Sequence, residues 1–77
     1  VEDLVAYLAK AVVSHPDEVQ VRETTSEEGT VVELRVHPSD MGVVIGRKGR
    51  TINAFRTLLA AAAQQQQRQD VRLEVVD

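Results

Sequence analysis

The hydrophobic pattern of this 77-residue chain predicts an α+β fold, ordered α-β-β-α-α-β, with its helices packed on one face of a single sheet. Three observations carry that reading. Two segments, residues 2–14 and 50–66, repeat apolar side chains at helical spacing. Three others, residues 17–24, 30–37 and 71–76, alternate apolar and polar side chains with period two. Between the second strand and the last, Gly46-Arg47-Lys48-Gly49 splits a helical stretch into a short piece and a long one.

In the first helix Val1, Leu4, Val5, Leu8 and Val12 form the expected buried stripe, and Glu2 and Asp3 suit its positive end. Pro16 moves His15 out of helical geometry and ends it. Val19 and Val21 then face one side of a half-buried strand, opposite Glu18, Gln20 and Arg22. Thr25-Ser26-Glu27-Glu28-Gly29 is a polar connection of hairpin length. The second strand sets Val32, Leu34 and Val36 against Val31, Glu33, Arg35 and His37. Pro38 closes it, and Ser39 or Asp40 is the expected N-cap of a short helix over 41–45. The long helix buries Ile52, Phe55, Leu58, Leu59, Ala62 and Ala63. Its Gln64–Gln67 end reads as a solvated helix terminus, since Ala and Gln both favour helix. Val71, Leu73 and Val75 alternate in the last strand.

Residues 1–77 are long enough for one domain with a modest core, worth ~3–5 kcal/mol at this size. Cysteine is absent, and His15 and His37 lie 22 positions apart, so no metal site is expected. No apolar run approaches the length of a membrane span, and a cytoplasmic protein is the expectation. Net charge is −3, which argues against nucleic acid until its distribution is seen. Residues 41–69 contain five bases and no acid, whereas 1–40 contain nine acids and three bases. Chance segregation in a small domain is the plain alternative. The basic segment holds Arg47, Lys48 and Arg50 in or beside a Gly-x-x-Gly turn. Such a turn lets backbone approach a ligand closely and aims the following helix's free N–H groups at it. Cations and helix terminus together suit a phosphodiester backbone, so the segment reads as a nucleic-acid-binding site, with single-stranded RNA as the ligand.

Enzyme chemistry finds no support. Gly42, Gly46 and Gly49 lack the dinucleotide spacing, there is no Gly-Lys-Ser/Thr, and no nucleophile–base or paired-carboxylate arrangement stands out. No cofactor is expected. Tyr7 and Phe55 are the only aromatic residues, too few for a stacking platform, so sequence selectivity should be weak.

The order of elements, with Val44-Ile45-Gly46-Arg47-Lys48-Gly49 between the central helices and Ile52 after them, resembles a KH domain of the prokaryotic (type II) arrangement. Across the whole chain, Asp17-Glu18-Val19, Glu33-Leu34-Arg35-Val36, Pro38-Ser39-Asp40-Met41-Gly42, Gly49-Arg50-Thr51 and Arg56-Thr57-Leu58-Leu59 are similar to the small stand-alone bacterial KH proteins of the KhpA family. The resemblance implies a three-stranded mixed sheet and a clamp on about four single-stranded nucleotides, with bases in an apolar groove beside the helix-turn-helix. Carried over, the RNA-binding set is Gly46, Arg47, Lys48, Gly49, Arg50 and Asn53, with Val44, Ile45 and Ile52 as groove floor. Core packing is the competing reading of Ile45 and Ile52, a solvated turn that of Arg47 and Lys48, and a surface ion pair that of Arg56. The resemblance also implies a role as RNA chaperone or post-transcriptional regulator, a homodimer, and pairing with a second KH-containing, KhpB-like RNA-binding protein. The rival class is a protein-interaction or dimerisation module whose RNA binding comes mainly from a partner. Ala60–Ala63 is the candidate dimer face.

Overall fold

A computed structural model describes residues 2–67 and 70–76. Val1, expected on the first stripe, and Arg68, counted in the basic segment, lie outside the described residues. Helices α1 (Glu2–Val12), α2 (Met41–Ile45) and α3 (Arg50–Gln65) pack on a sheet of β1 (Gln20–Ser26), β2 (Gly29–Arg35) and β3 (Val71–Val76). Strand order is β1-β2-β3, with β1 antiparallel and β3 parallel to β2. The expected α+β class, element order and mixed sheet are all present. Parallel strands need a crossover, and α2, the glycine turn and α3 supply it.

The register explains the core. Val32 stands beside Leu73, and Leu34 lies between Val21 and Val75, so one face of all three strands is apolar. Against it pack Val5 and Ala9 of α1, Val44 of α2, and Ile52, Phe55 and Leu59 of α3. This burial supplies the main favourable free energy of a chain without cross-links.

Several expected boundaries and burials move. The buried line of α1 runs through Val5 and Ala9, while Leu4 and Leu8 are half-buried and Val12 is exposed. The strand expected from 17 starts at Gln20, because Pro16–Glu18 forms a 3-10 turn. The hairpin is tighter than expected: Ser26 pairs with Gly29, leaving Glu27 and Glu28 as its two loop residues. Leu58, expected in the α3 stripe, is 48% exposed.

The N-cap expectation for α2 holds in position: Asp40 is the N-cap residue, but its side chain makes no capping hydrogen bond to that helix. Asp40 is buried and accepts from the Ser14 N–H, the His15 N–H and His15 Nδ1 at 3.0, 3.0 and 3.1 Å, which ties the end of α1 to the entrance of α2. Burial alone would raise the Asp40 pKa. The hydrogen bonds from Ser14 and His15, with the charge His15 can carry, outweigh it and lower the value. His15 and His37, distant in sequence, stack with ring centroids 4.0 Å apart. The His37 ring accepts from the Ser39 N–H and so caps the 3-10 turn over Pro38–Asp40.

Candidate nucleic-acid interface

The turn between α2 and α3 is built from three residues with positive φ: Gly46 (78°), Lys48 (57°) and Gly49 (75°). The Gly46 N–H closes α2 on the Gly42 carbonyl at 2.8 Å, and the Gly49 N–H closes the 3-10 turn on the Gly46 carbonyl at 3.1 Å. The chain therefore reverses within four residues, and Arg47 and Lys48 stand exposed at the tip. Arg50 is exposed at the start of α3. No side chain caps that start and no acid lies in its first turn, so the positive end of a 16-residue helix faces the same region as the cations.

The two glycines do different work. A Cβ on Gly46 would collide with the Thr51 side chain and lie 2.7 Å from the Thr51 amide nitrogen. Gly46 lets the turn fold back on α3. A Cβ on Gly49 would meet only Asn53 Nδ2, at 3.7 Å. Gly49 thus keeps an open surface beside Asn53.

From Asn53 a line of side chains leads along α3 into a groove of about 500 Å³ between α3 and β3. Arg56 Nη1 donates to Asn53 Oδ1 at 3.4 Å, and Nη2 donates to the Leu73 carbonyl at 3.5 Å. Leu59 and Ala60 form the helix wall of the groove, and residues 71–74 the strand wall. Because β3 is an outer strand, this wall is a sheet edge, and the Leu73 carbonyl meets α3's Arg56 there.

The structure thus gathers Gly46, Arg47, Lys48, Gly49, Arg50 and Asn53 at one end of α3. Val44 and Ile52, expected as groove floor, are buried in the core, and Ile45 is half-buried against it. The apolar side chains that line the groove between α3 and β3 are Leu59, Ala60, Val71 and Leu73. Arg56, read as ion-paired or RNA-binding, bridges Asn53 and β3. Its place could have been found from spacing, since Gly49, Asn53, Arg56 and Ala60 recur at helical intervals. No sequence signal marks β3 as the outer strand. Among the described residues no group of three or more His, Cys, Asp or Glu could hold a metal ion, and no helix is long and apolar enough to cross a membrane.

Comparison with known proteins places this geometry among relatives. A protein-family model described as the KhpA/KhpB KH domain matches residues 2–75. The RNA-binding protein KhpA of Halalkalibacterium halodurans is 49% identical over 74 residues, which is 96% of each chain. The RNA-binding protein KhpA of Mycobacterium tuberculosis is 46% identical over 77 residues, all of this chain and 91% of the relative. That of Streptomyces coelicolor is 43% identical over 76 residues, 99% of this chain and 91% of the relative. These relatives are named for binding, not for a catalysed reaction.

Proposed function

The chain belongs to the KhpA/KhpB KH-domain family, and we propose on that premise that it binds single-stranded RNA, with the Gly46–Gly49 turn clamping the phosphate backbone. The observation that carries the proposal is the continuity of a cationic turn with an apolar groove. Arg47, Lys48 and Arg50 meet phosphates, Gly49 admits them to the α3 terminus, and Asn53 leads the bases toward the groove beside β3. A groove between a helix and a strand edge accepts bases only when they are splayed, which a duplex does not allow. In the cell this fits an RNA chaperone or post-transcriptional regulator working in the cytoplasm.

Changing Arg47→Asp together with Lys48→Asp tests the clamp. Both side chains are exposed, so the domain stays folded while affinity for a single-stranded RNA is lost. A folded double variant with unchanged affinity refutes it. The wild-type chain brings three or four cations to phosphates, so log K against log salt falls with a slope of roughly −2 to −3. A slope steeper than about −6, or tighter binding to duplex DNA, points to a second contact surface.

A second reading accompanies the first: the domain pairs with a copy of itself or with a KhpB-like KH protein. Its support is the outer face of α3, where Ala54, Leu58 and Ala61, spaced four and three apart, are all exposed and none lines the groove. An interface there leaves the RNA site open. The loop double variant separates the readings, since it keeps the pairing and loses the RNA.

A further inference from the structure

We infer that Arg56 is a specificity-determining residue of the groove, selecting bases that present two adjacent hydrogen-bond acceptors on one edge: cytosine through N3 and O2, or guanine through N7 and O6. The inference rests on the RNA-binding reading of the same groove. The guanidinium of Arg56 carries five donors. Asn53 Oδ1 and the Leu73 carbonyl engage two of them, through long contacts of 3.4 and 3.5 Å that orient the group without saturating it. The remaining donors keep the planar fork geometry that matches paired acceptors.

The chemistry of the four bases then decides what fits. Cytosine offers N3 next to O2, and guanine offers O6 next to N7. Adenine couples N1 and N7 each to its amino donor, and uracil places a donor N–H between its two carbonyls. A fork of N–H donors pairs both arms with the first two bases and only one arm with the others. The surroundings favour a base over a phosphate here. Leu59, Ala60, Val71 and Leu73 make the groove floor apolar, and the Leu73 carbonyl oxygen already occupies one Arg56 donor there; Arg72 and Glu74, which also line the groove, carry opposite charges and offset each other. No aromatic ring lines the groove, so stacking, which tolerates every base, contributes little to mask the hydrogen-bond selection. The weak selectivity expected from the scarcity of aromatic residues is thus replaced by selectivity from one guanidinium.

The test measures fluorescence anisotropy of labelled oligo(C), oligo(A), oligo(U) and alternating UG strands of equal length with the whole chain. Oligo(C), UG or both bind about fivefold or more tighter than oligo(A) and oligo(U), the lower bound for one bidentate base contact. Arg56→Lys keeps the charge and loses the fork, so it removes that preference while oligo(A) and oligo(U) affinities stay within about twofold. Arg56→Gln does the same with a small uniform loss. Equal binding of all four strands by the wild-type chain overturns the inference and leaves the clamp standing. A uniform drop across all strands in Arg56→Lys also overturns it, because it marks a phosphate contact. Failure of the wild-type chain to bind any strand overturns the RNA reading itself.

Discussion

Replacing each glycine of the turn by alanine separates fold from function. Gly46 has φ 78° and ψ 170°, a region that side-chain-bearing residues hardly enter, and occupying it costs about 1–3 kcal/mol. The added Cβ also lies 2.7 Å from both Cβ and the amide nitrogen of Thr51. That nitrogen belongs to the first turn of α3, so relief requires moving the helix, at a further cost of about 1–3 kcal/mol. Gly46→Ala therefore loses roughly 2–6 kcal/mol in a domain of ~3–5 kcal/mol total stability. Gly49 sits at φ 75° and ψ 15°, the left-handed helical region, at a cost of about 1–2 kcal/mol for alanine. Its Cβ makes only an ordinary contact with Asn53. For a chain of this length about 1 kcal/mol moves Tm by about 6 °C. Thermal unfolding by circular dichroism should show Gly49→Ala melting about 6–12 °C below wild type, and Gly46→Ala further below or unfolded at room temperature. At a temperature where Gly49→Ala is fully folded its RNA affinity still falls, because the new methyl group stands where phosphate approaches. If Gly46→Ala melts at or above Gly49→Ala, the separation of roles is wrong. If folded Gly49→Ala binds RNA as wild type does, the close approach lies elsewhere.

Lys48 holds a positive φ with a full side chain, so Lys48→Gly relieves strain and raises Tm by up to about 6 °C while weakening RNA binding; a lower Tm contradicts this. Ala61 is exposed and Ala63 is 3% exposed within the core, so Ala61→Glu stays folded and Ala63→Glu unfolds. Only the Ala61 variant probes the α3 interface: light scattering should show it monomeric, and an intact dimer moves the interface to another face. Asp40 contributes to stability through a carboxyl whose folded-state pKa is lowered, so its contribution is complete above the ordinary value of 3.8 and disappears as pH falls through the folded value below it. Urea unfolding of wild type and Asp40→Asn should therefore show a gap that is widest near neutral pH and closes in acid; a gap that widens in acid refutes the assignment.

What the chain determined by itself is what local covalent geometry dictates. Pro16 and Pro38 bar α1 and β2 from running past them, since each ring restricts the residue before it, although the two elements already stop at Val12 and Arg35. Val32, Leu34 and Leu73 alternate because successive strand side chains face opposite ways, and Ile52, Phe55 and Leu59 recur because a helix turns every 3.6 residues. The Gly46–Gly49 turn was legible for the same reason, together with the cations it carries. Tertiary structure decided everything that depends on a distant neighbour. Asp40 reads as an N-cap in its own segment, yet backbone donors 25 and 26 positions earlier claim its carboxylate. Leu58 and Ala63 both fit the apolar stripe of α3, and only the place where β3 and α1 lie sends one to solvent and the other to the core. Gly46 and Gly49 are equivalent in the motif; the position of Thr51 makes one structural and leaves the other open. Val44 and Ile52 resemble a groove floor until the core closes over them; β3, paired as the outer strand, meets α3 beside Arg56 and Leu59 and lines the groove with Val71 and Leu73. Each of these outcomes turns on which face a packed neighbour covers, and that is settled only when the whole apolar surface is buried at once.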